Sequence, residues 1–184
     1  MKIAVYLGSA TECRPIFNET AYEVGRRLSE AGHTIIYGGA DIGTMKCLAD
    51  GVQSVGGEMI GVFPKGFKGT REVWHSGIDL ERKGLKEFIL VENFAERKKT
   101  MGELSDCCLA LPGSYGTLDE LFTFACERCI SVHEKHSYVL NVEGFFDPLK
   151  AMLDNIGKGG FLKPSATGII TFCDSIDEFL EKIK

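Results

Sequence analysis

Short apolar runs alternate along this chain with longer segments of helical period, and this alternation constrains the fold more than any other feature. The apolar runs predict strands at residues 2–7, 33–37, 58–63, 87–91, 106–111, 138–142 and 169–172. The helical period predicts helices at residues 15–31, 42–55, 93–104, 117–130, 148–156 and 175–183. Such alternation is typical of the α/β class and predicts a parallel sheet covered by helices on both faces.

Length and composition indicate one globular domain, residues 1–184, with an ordinary surface. The 184 residues are 44% hydrophobic and 26% charged, which is typical of soluble domains. The net charge of −5 argues against a nucleic-acid binder with a broad basic surface. No apolar run approaches the roughly 20 residues that span a bilayer, and the first residues make a poor signal peptide. We therefore expect neither a nucleic-acid nor a membrane partner.

Cysteine usage favours reduced thiols and a cytoplasmic location, because the seven cysteines are odd in number and lack a framework spacing. Cys126 and Cys129 form a CxxC pair followed by His133 and His136, but these four are closer together than zinc-finger ligands. We expect no metal site. The residues expected in the core instead are Leu121, Phe122, Ala125 and Cys129 on a helix and Cys107 and Cys108 on a strand.

The strongest local signal is the segment PGSYGTLDE, residues 112–120, which follows a predicted strand and opens a helix. Ligands of parallel sheets bind beyond the carboxyl ends of the strands, and a helix start offers free N–H groups to an anion. Gly113 and Gly116 let the backbone approach a ligand closely. Thr117 is expected to be the N-cap, with its hydroxyl near a phosphate oxygen. The segment is neither a P-loop nor a GxGxxG fingerprint.

Two side chains near this edge each allow a structural and a functional interpretation. Glu120 has capping-box spacing from Thr117, yet a first-turn carboxylate also faces the crevice. Arg97 lies on a helix that Asn93 and Glu96 are expected to cap, and a buried arginine needs an anion. In the structural interpretation, Arg97 forms an ion pair, for example with Glu120. In the functional interpretation, it holds a substrate phosphate or orients Glu120. The apolar stripe that carries Arg97 contains Phe94, Met101 and Leu104.

The connection at residues 64–85 shows no periodicity and is rich in glycine and basic side chains. It also contains the only tryptophan, Trp74. Connections of this length inside a compact domain are usually functional. We expect it to form a lid or a wall contributed across a dimer, so that shortening it raises KM.

These motifs together resemble the LOG ("lonely guy") family of cytokinin riboside 5′-monophosphate phosphoribohydrolases. The family signature PGGxGTxxE corresponds to residues 112–120, and its Arg-Lys helix start corresponds to Arg97 and Lys98. The opening VYLGS, the turn YGG and the segment HEKHSYVLNVEGFFDPL are similar too, so the resemblance covers nearly the whole chain. Ser114 replaces the second signature glycine, and the helix that usually begins Met-His-x-Arg-Lys in the family begins here with Phe94-Ala95-Glu96 before Arg97 and Lys98.

The resemblance implies a doubly wound, Rossmann-like homodimer that hydrolyses the N-glycosidic bond of an AMP-type nucleotide without a cofactor. The products would be a free base, adenine or a cytokinin, and ribose 5-phosphate. The implied catalytic pair is Arg97 and Glu120. The sequence shows no obvious second carboxylic acid to protonate the departing base, and Asp119 and Glu92 are the only candidates. The implied substrate-binding residues are Gly8, Ser9, Gly38, Gly39, Lys98, Gly113, Ser114, Tyr115, Gly116 and Thr117. The family has also been labelled lysine decarboxylase, but nothing in the sequence marks a lysine for pyridoxal phosphate.

The alternative function on the same fold is that of a non-catalytic nucleotide or molybdenum-cofactor carrier or sensor. Such proteins share the PGGxGT loop, so the loop alone does not separate them from hydrolases. A carrier has no need for Arg97 and Glu120 together, and the presence of both favours the hydrolase.

Overall fold

The computed structural model describes residues 1–65, 84–163 and 166–184, which form a seven-stranded sheet with only parallel pairings. The order across the sheet is β4-β3-β2-β1-β5-β6-β7. The strands are β1 (Lys2–Tyr6), β2 (Thr34–Tyr37), β3 (Met59–Pro64), β4 (Leu85–Val91), β5 (Cys107–Ala110), β6 (His136–Leu140) and β7 (Ile170–Cys173). The chain reverses its progress across the sheet between β1 and β5. This switch point is where ligands of open α/β sheets bind.

Helices cover both faces of the sheet, as the alternation predicted. Within the described ranges they are α1 (Pro15–Glu30), α2 (Gly43–Ser54), α3 (Phe94–Leu104), α4 (Tyr115–Cys129), α5 (Asp147–Lys158) and α6 (Ile176–Lys182). Ile3 and Val5 of β1 pack in the core shared with α1, α2 and α6. Ala4 and Tyr6 point to the opposite face and pack in the core shared with α3, α4 and α5. The doubly wound, Rossmann-like fold is therefore confirmed.

The start of α4 differs from the prediction. The helix begins at Tyr115, two residues before the predicted start, and Ser114 is the N-cap residue without a side-chain cap hydrogen bond. The predicted cap at Thr117 is wrong, because Thr117 lies in the first turn and its hydroxyl has no partner within the described protein. The predicted capping box is also wrong, because the Glu120 carboxylate is bound to Arg97.

The predicted core stripe of α4 is only partly correct. Leu121 and Ala125 are buried, whereas Phe122 is 41% exposed and Cys129 is exposed. The buried face of the helix contains positions 117, 120, 121, 124 and 125. Positions 122 and 129 lie at the edge of this face, on the side turned toward solvent. Cys107 and Cys108 are buried as predicted. Burial raises the pKa of both thiols to about 12.

The expected lid or wall at residues 64–85 lies outside the described residues, except for its ends at 64–65 and 84–85. In the part of the chain that the structure describes, no helix has both the length and the apolar character needed to cross a bilayer.

Candidate functional site

A cavity of about 180 Å³ opens at the carboxyl edge of the sheet, beside the switch point. Turns after β1, β2 and β5 and the first turns of α3 and α4 contribute its walls. Eight of the twelve site residues expected from the sequence line it: Gly8, Ser9, Gly38, Arg97, Ser114, Gly116, Thr117 and Glu120. Residues far apart in the chain therefore meet at one place, as the sheet topology requires.

The other four expected residues stand around the cavity rather than in its lining. Gly39 has a φ of 75° and is covered by the Phe88 ring. Tyr115 is 91% exposed. Lys98 donates to the Asp119 carboxylate at 2.7 Å. The fourth, glycine 113, packs behind the cavity against the turn after β1.

Arg97 and Glu120 form a buried ion pair that joins three elements. Their side chains are 8% and 6% exposed. Nη1 of Arg97 donates to Oε1 of Glu120, and Nε donates to the Val62 carbonyl of β3 at 2.9 Å. The ion pair that was one interpretation of Arg97 is thus present, and it lies in the wall of the cavity.

Burial sets the protonation chemistry of Glu120. Desolvation raises the pKa of this carboxyl above its ordinary value, and the attraction of Arg97 offsets only part of the rise. A carboxylate with a raised pKa is a stronger base than an exposed one. Glu120 is therefore suited to accept a proton from a molecule in the cavity.

The first turn of α3 places the arginine. The Asn93 side chain accepts from the Glu96 N–H at 2.9 Å, which confirms the predicted cap. The Glu96 carboxylate accepts from the Glu92 N–H at 2.7 Å rather than from the cap residue. With its start fixed in this way, α3 turns Arg97 and Met101 toward the sheet.

Next to the ion pair, the Thr117 hydroxyl is buried and unpartnered. Thr117 is 2% exposed, and its Oγ1 has no hydrogen-bond partner among the described residues. A Cβ atom at Gly113 would overlap this oxygen and lie 2.9 Å from the Gly8 nitrogen, so only glycine fits there. An unsatisfied hydroxyl at the free N–H groups of a helix start is a site for a polar ligand.

Sequence reasoning missed the apolar part of the wall. Six further residues line the cavity: Leu7, Ala40, Met45, Phe63, Pro64 and Phe94. Phe94 had been assigned to the core stripe of α3, but it is 49% exposed. Its place directly after the carboxyl end of β4 was the available signal, because residues that follow strand ends face the crevice.

The two carboxylates considered as proton donors do not line the cavity. Asp119 is 59% exposed and paired with Lys98. Glu92 is 68% exposed and its Oε1 is 2.6 Å from Nζ of Lys65. Neither is therefore part of the wall that the described residues form around Glu120.

Comparison with known sequences places the chain in a family. A family profile described as "possible lysine decarboxylase" matches residues 45–183. The cytokinin riboside 5′-monophosphate phosphoribohydrolase LOG of Oryza sativa subsp. japonica is 34% identical over 183 residues, covering all of this chain and 72% of the relative. The chain belongs to the LOG family. LOG5 of Arabidopsis thaliana, named for the same activity, is 31% identical and is covered over 77% of its length.

Solved structures share the fold of this LOG-family chain at lower sequence identity. The molybdenum cofactor binding protein of Rippkaea orientalis has a TM-score of 0.71 and 20% identity, covering 99% of this chain and 94% of that one. The molybdenum cofactor carrier protein of Chlamydomonas reinhardtii has a TM-score of 0.70 and 16% identity over the same shares. Likeness at these identities establishes the architecture alone.

Proposed function

We propose that this LOG-family protein hydrolyses the N-glycosidic bond of adenosine-type nucleoside 5′-monophosphates, releasing the free base and ribose 5-phosphate. The observation that carries the proposal is the buried Arg97–Glu120 pair in the wall of a cavity that also contains the unpartnered hydroxyl of Thr117. Relatives at 31–34% identity that are named as cytokinin riboside 5′-monophosphate phosphoribohydrolases support the same reaction class.

The proposed substrate binds with its phosphate at the start of α4. The free N–H groups there and the Thr117 hydroxyl would donate to phosphate oxygens. Gly8 and Gly116 allow the backbone to come close, with Ser9, Ser114 and Tyr115 beside them, and Gly113 lets the turn after β5 pack against the turn after β1 behind this surface. Lys98 lies outside the cavity lining, and its expected contact with the phosphate requires its ammonium to leave the Asp119 carboxylate. Phe63 and Phe94 then offer apolar surface to the base.

In the proposed reaction Glu120 serves as the carboxylate that glycosidic cleavage requires. The bond between C1′ and the base nitrogen breaks with its electron pair going to the base, which takes up a proton from solvent, and Glu120 later returns to solvent the proton that it accepts from the attacking water. The positive charge that develops on the ribose is stabilised by the Glu120 carboxylate. A water oxygen bonds to C1′ and gives its proton to Glu120, whose basicity burial has increased. Arg97 keeps the carboxylate ionised and oriented. One water is consumed and no cofactor takes part.

The direct test is hydrolysis of AMP and of N6-isopentenyl-AMP by the purified protein. Free base and ribose 5-phosphate are followed by chromatography. We expect base release from at least one nucleotide, and the ratio of the two kcat/KM values ranks adenine against a prenylated adenine. Binding of both nucleotides without base release would contradict the hydrolase.

The Thr117→Val variant tests the phosphate site. We expect KM to rise about tenfold with kcat nearly unchanged, because valine keeps the shape but removes one hydrogen bond to a charged group. Stability is not expected to fall, since the hydroxyl that is lost has no protein partner. Steady-state kinetics and urea unfolding measure the two effects. An unchanged KM would show that the hydroxyl does not contact the substrate.

The carrier alternative is not favoured by the comparisons. Molybdenum-cofactor proteins share the fold at 16–20% identity, whereas the relatives named as phosphoribohydrolases are 31–34% identical over the whole chain.

The expected homodimer is proposed to form through the outer face of α4 and α5. Phe122 is 41% exposed and lines an apolar groove of about 840 Å³ between α4 and α5, while Ile130, directly after α4, and Met152 on α5 are 67% and 58% exposed. Exposed apolar patches of this kind mark association surfaces. Light scattering after gel filtration is expected to give the dimer mass for the wild type and the monomer mass for Phe122→Glu. The control is Gln53→Glu, which adds a negative charge at an exposed position of α2. This variant should remain dimeric. A monomeric wild type would contradict the proposal.

A further inference from the structure

Gly38 follows β2 and lines the cavity. Its backbone conformation does not require a glycine at this position. The φ of Gly38 is not positive, unlike the φ of 75° at Gly39, so other residues can adopt its conformation. Space is the limiting factor. A Cβ atom at Gly38 would overlap Nη2 of Arg97, and would lie 3.2 Å from Cζ of Arg97 and 3.1 Å from Sδ of Met45.

Arg97 cannot move aside without losing its own contacts. The guanidinium is a rigid plane, so a displacement of Nη2 also displaces Nε and Nη1. Nε is bound to the Val62 carbonyl at 2.9 Å, and Nη1 is bound to Glu120. The side chain is only 8% exposed, so its polar atoms depend on these protein partners rather than on solvent. Relieving an overlap at Gly38 therefore breaks one of these two interactions.

We propose that Gly38 is a positioning residue for the Arg97–Glu120 pair, because the missing side chain at Gly38 provides the space that the Arg97 guanidinium occupies. The expected change in kcat rests on the proposed function. The expected change in the pKa of Glu120 does not, because it depends only on the geometry of the ion pair. Gly38 would then make room for Arg97 in addition to its expected contact with substrate.

The consequence of a side chain at this position falls on Glu120. If Gly38→Ala displaces the guanidinium, the Glu120 carboxyl stays buried without the cation that lowers its pKa. We expect kcat to fall about 100-fold, the size typical of a displacement of about 1 Å in a catalytic group.

The primary experiment is a carbon-13 NMR titration of the Glu120 carboxyl in wild type and Gly38→Ala, with the signal assigned by its loss in Glu120→Gln. The expected result is a higher pKa of Glu120 in Gly38→Ala. In an Arg97→Lys background the same change is expected to leave this pKa unchanged, because lysine has no Nη2 atom to displace. The matched control is Gly102→Ala on α3, where a Cβ has no contact closer than 3.7 Å.

The outcomes separate this inference from the proposed function. An unchanged pKa of Glu120 in Gly38→Ala overturns the positioning role, whatever the activity. If the wild type hydrolyses neither nucleotide but the pKa of Glu120 is higher in Gly38→Ala, the positioning role is supported and the proposed hydrolase activity is contradicted. If Gly38→Ala does not fold, folding of Gly38→Ala/Arg97→Lys supports the proposal, and failure of both to fold overturns it.

Discussion

Replacing Glu120 by glutamine is expected to lower kcat about 10³-fold while KM for the nucleotide changes less than about threefold. The amide keeps the shape of the side chain and still offers an oxygen to Arg97. It carries no negative charge and cannot accept the proton of the attacking water. The loss therefore falls on the chemical step rather than on binding, and steady-state kinetics with the better of the two nucleotides measures the split.

The matched control is Glu103→Gln on α3, which removes a carboxylate whose side chain is 65% exposed. It should retain wild-type kcat. A Glu120→Gln enzyme with wild-type kcat would exclude Glu120 as the catalytic carboxylate. The pH profile gives a second readout, because the reaction needs the ionised form and burial raises the pKa of Glu120. The acidic limb of kcat/KM is therefore expected above the ordinary range of a glutamate.

The fold was predictable because alternation of strand and helix is a local signal. Each apolar run and each helical period is visible within about ten residues, and the parallel sheet follows from their order. The sheet edge then predicted which loops meet, so most of the expected site residues do line one cavity. The names of the catalytic candidates came from a resemblance, since spacing left two interpretations open for Arg97 and for Glu120.

The errors arise where a distant residue decides a local choice. Thr117 and Glu120 have the spacing of a capping box, but Arg97, 23 positions earlier in the chain, binds the carboxylate and leaves the threonine without a partner. The face that α4 turns inward likewise depends on the sheet beneath it, which is why Phe122 is exposed. The role of Gly38 has no sequence signal, because a glycine at a strand end is expected for the turn alone.

The pair that the mechanism needs is expected to reduce the stability of the fold. The double variant Arg97→Met/Glu120→Leu should be inactive and more stable than wild type by about 1–4 kcal/mol, because desolvating two charges costs more than their attraction returns. The pKa of Glu120 is raised by burial even beside Arg97, which is the direction expected when desolvation costs more than the pairing returns. The Val62 carbonyl loses its Nε donor in this variant, which takes about 1 kcal/mol from the gain.

The single variant Arg97→Met provides the contrast, since it leaves the Glu120 carboxylate buried alone and is expected to lose about 3–5 kcal/mol at pH 7. Its deficit should shrink as the pH falls. A group whose pKa is raised by folding stabilises the protonated folded state, and that contribution disappears as the pH rises through the folded-state pKa. Urea unfolding across pH measures both effects, with the exposed pair Lys99→Met/Glu103→Leu as the control expected to change little. If the buried double variant were less stable than wild type, the ion pair would hold the three elements together as well as serve the reaction, and the trade of stability for activity would be absent.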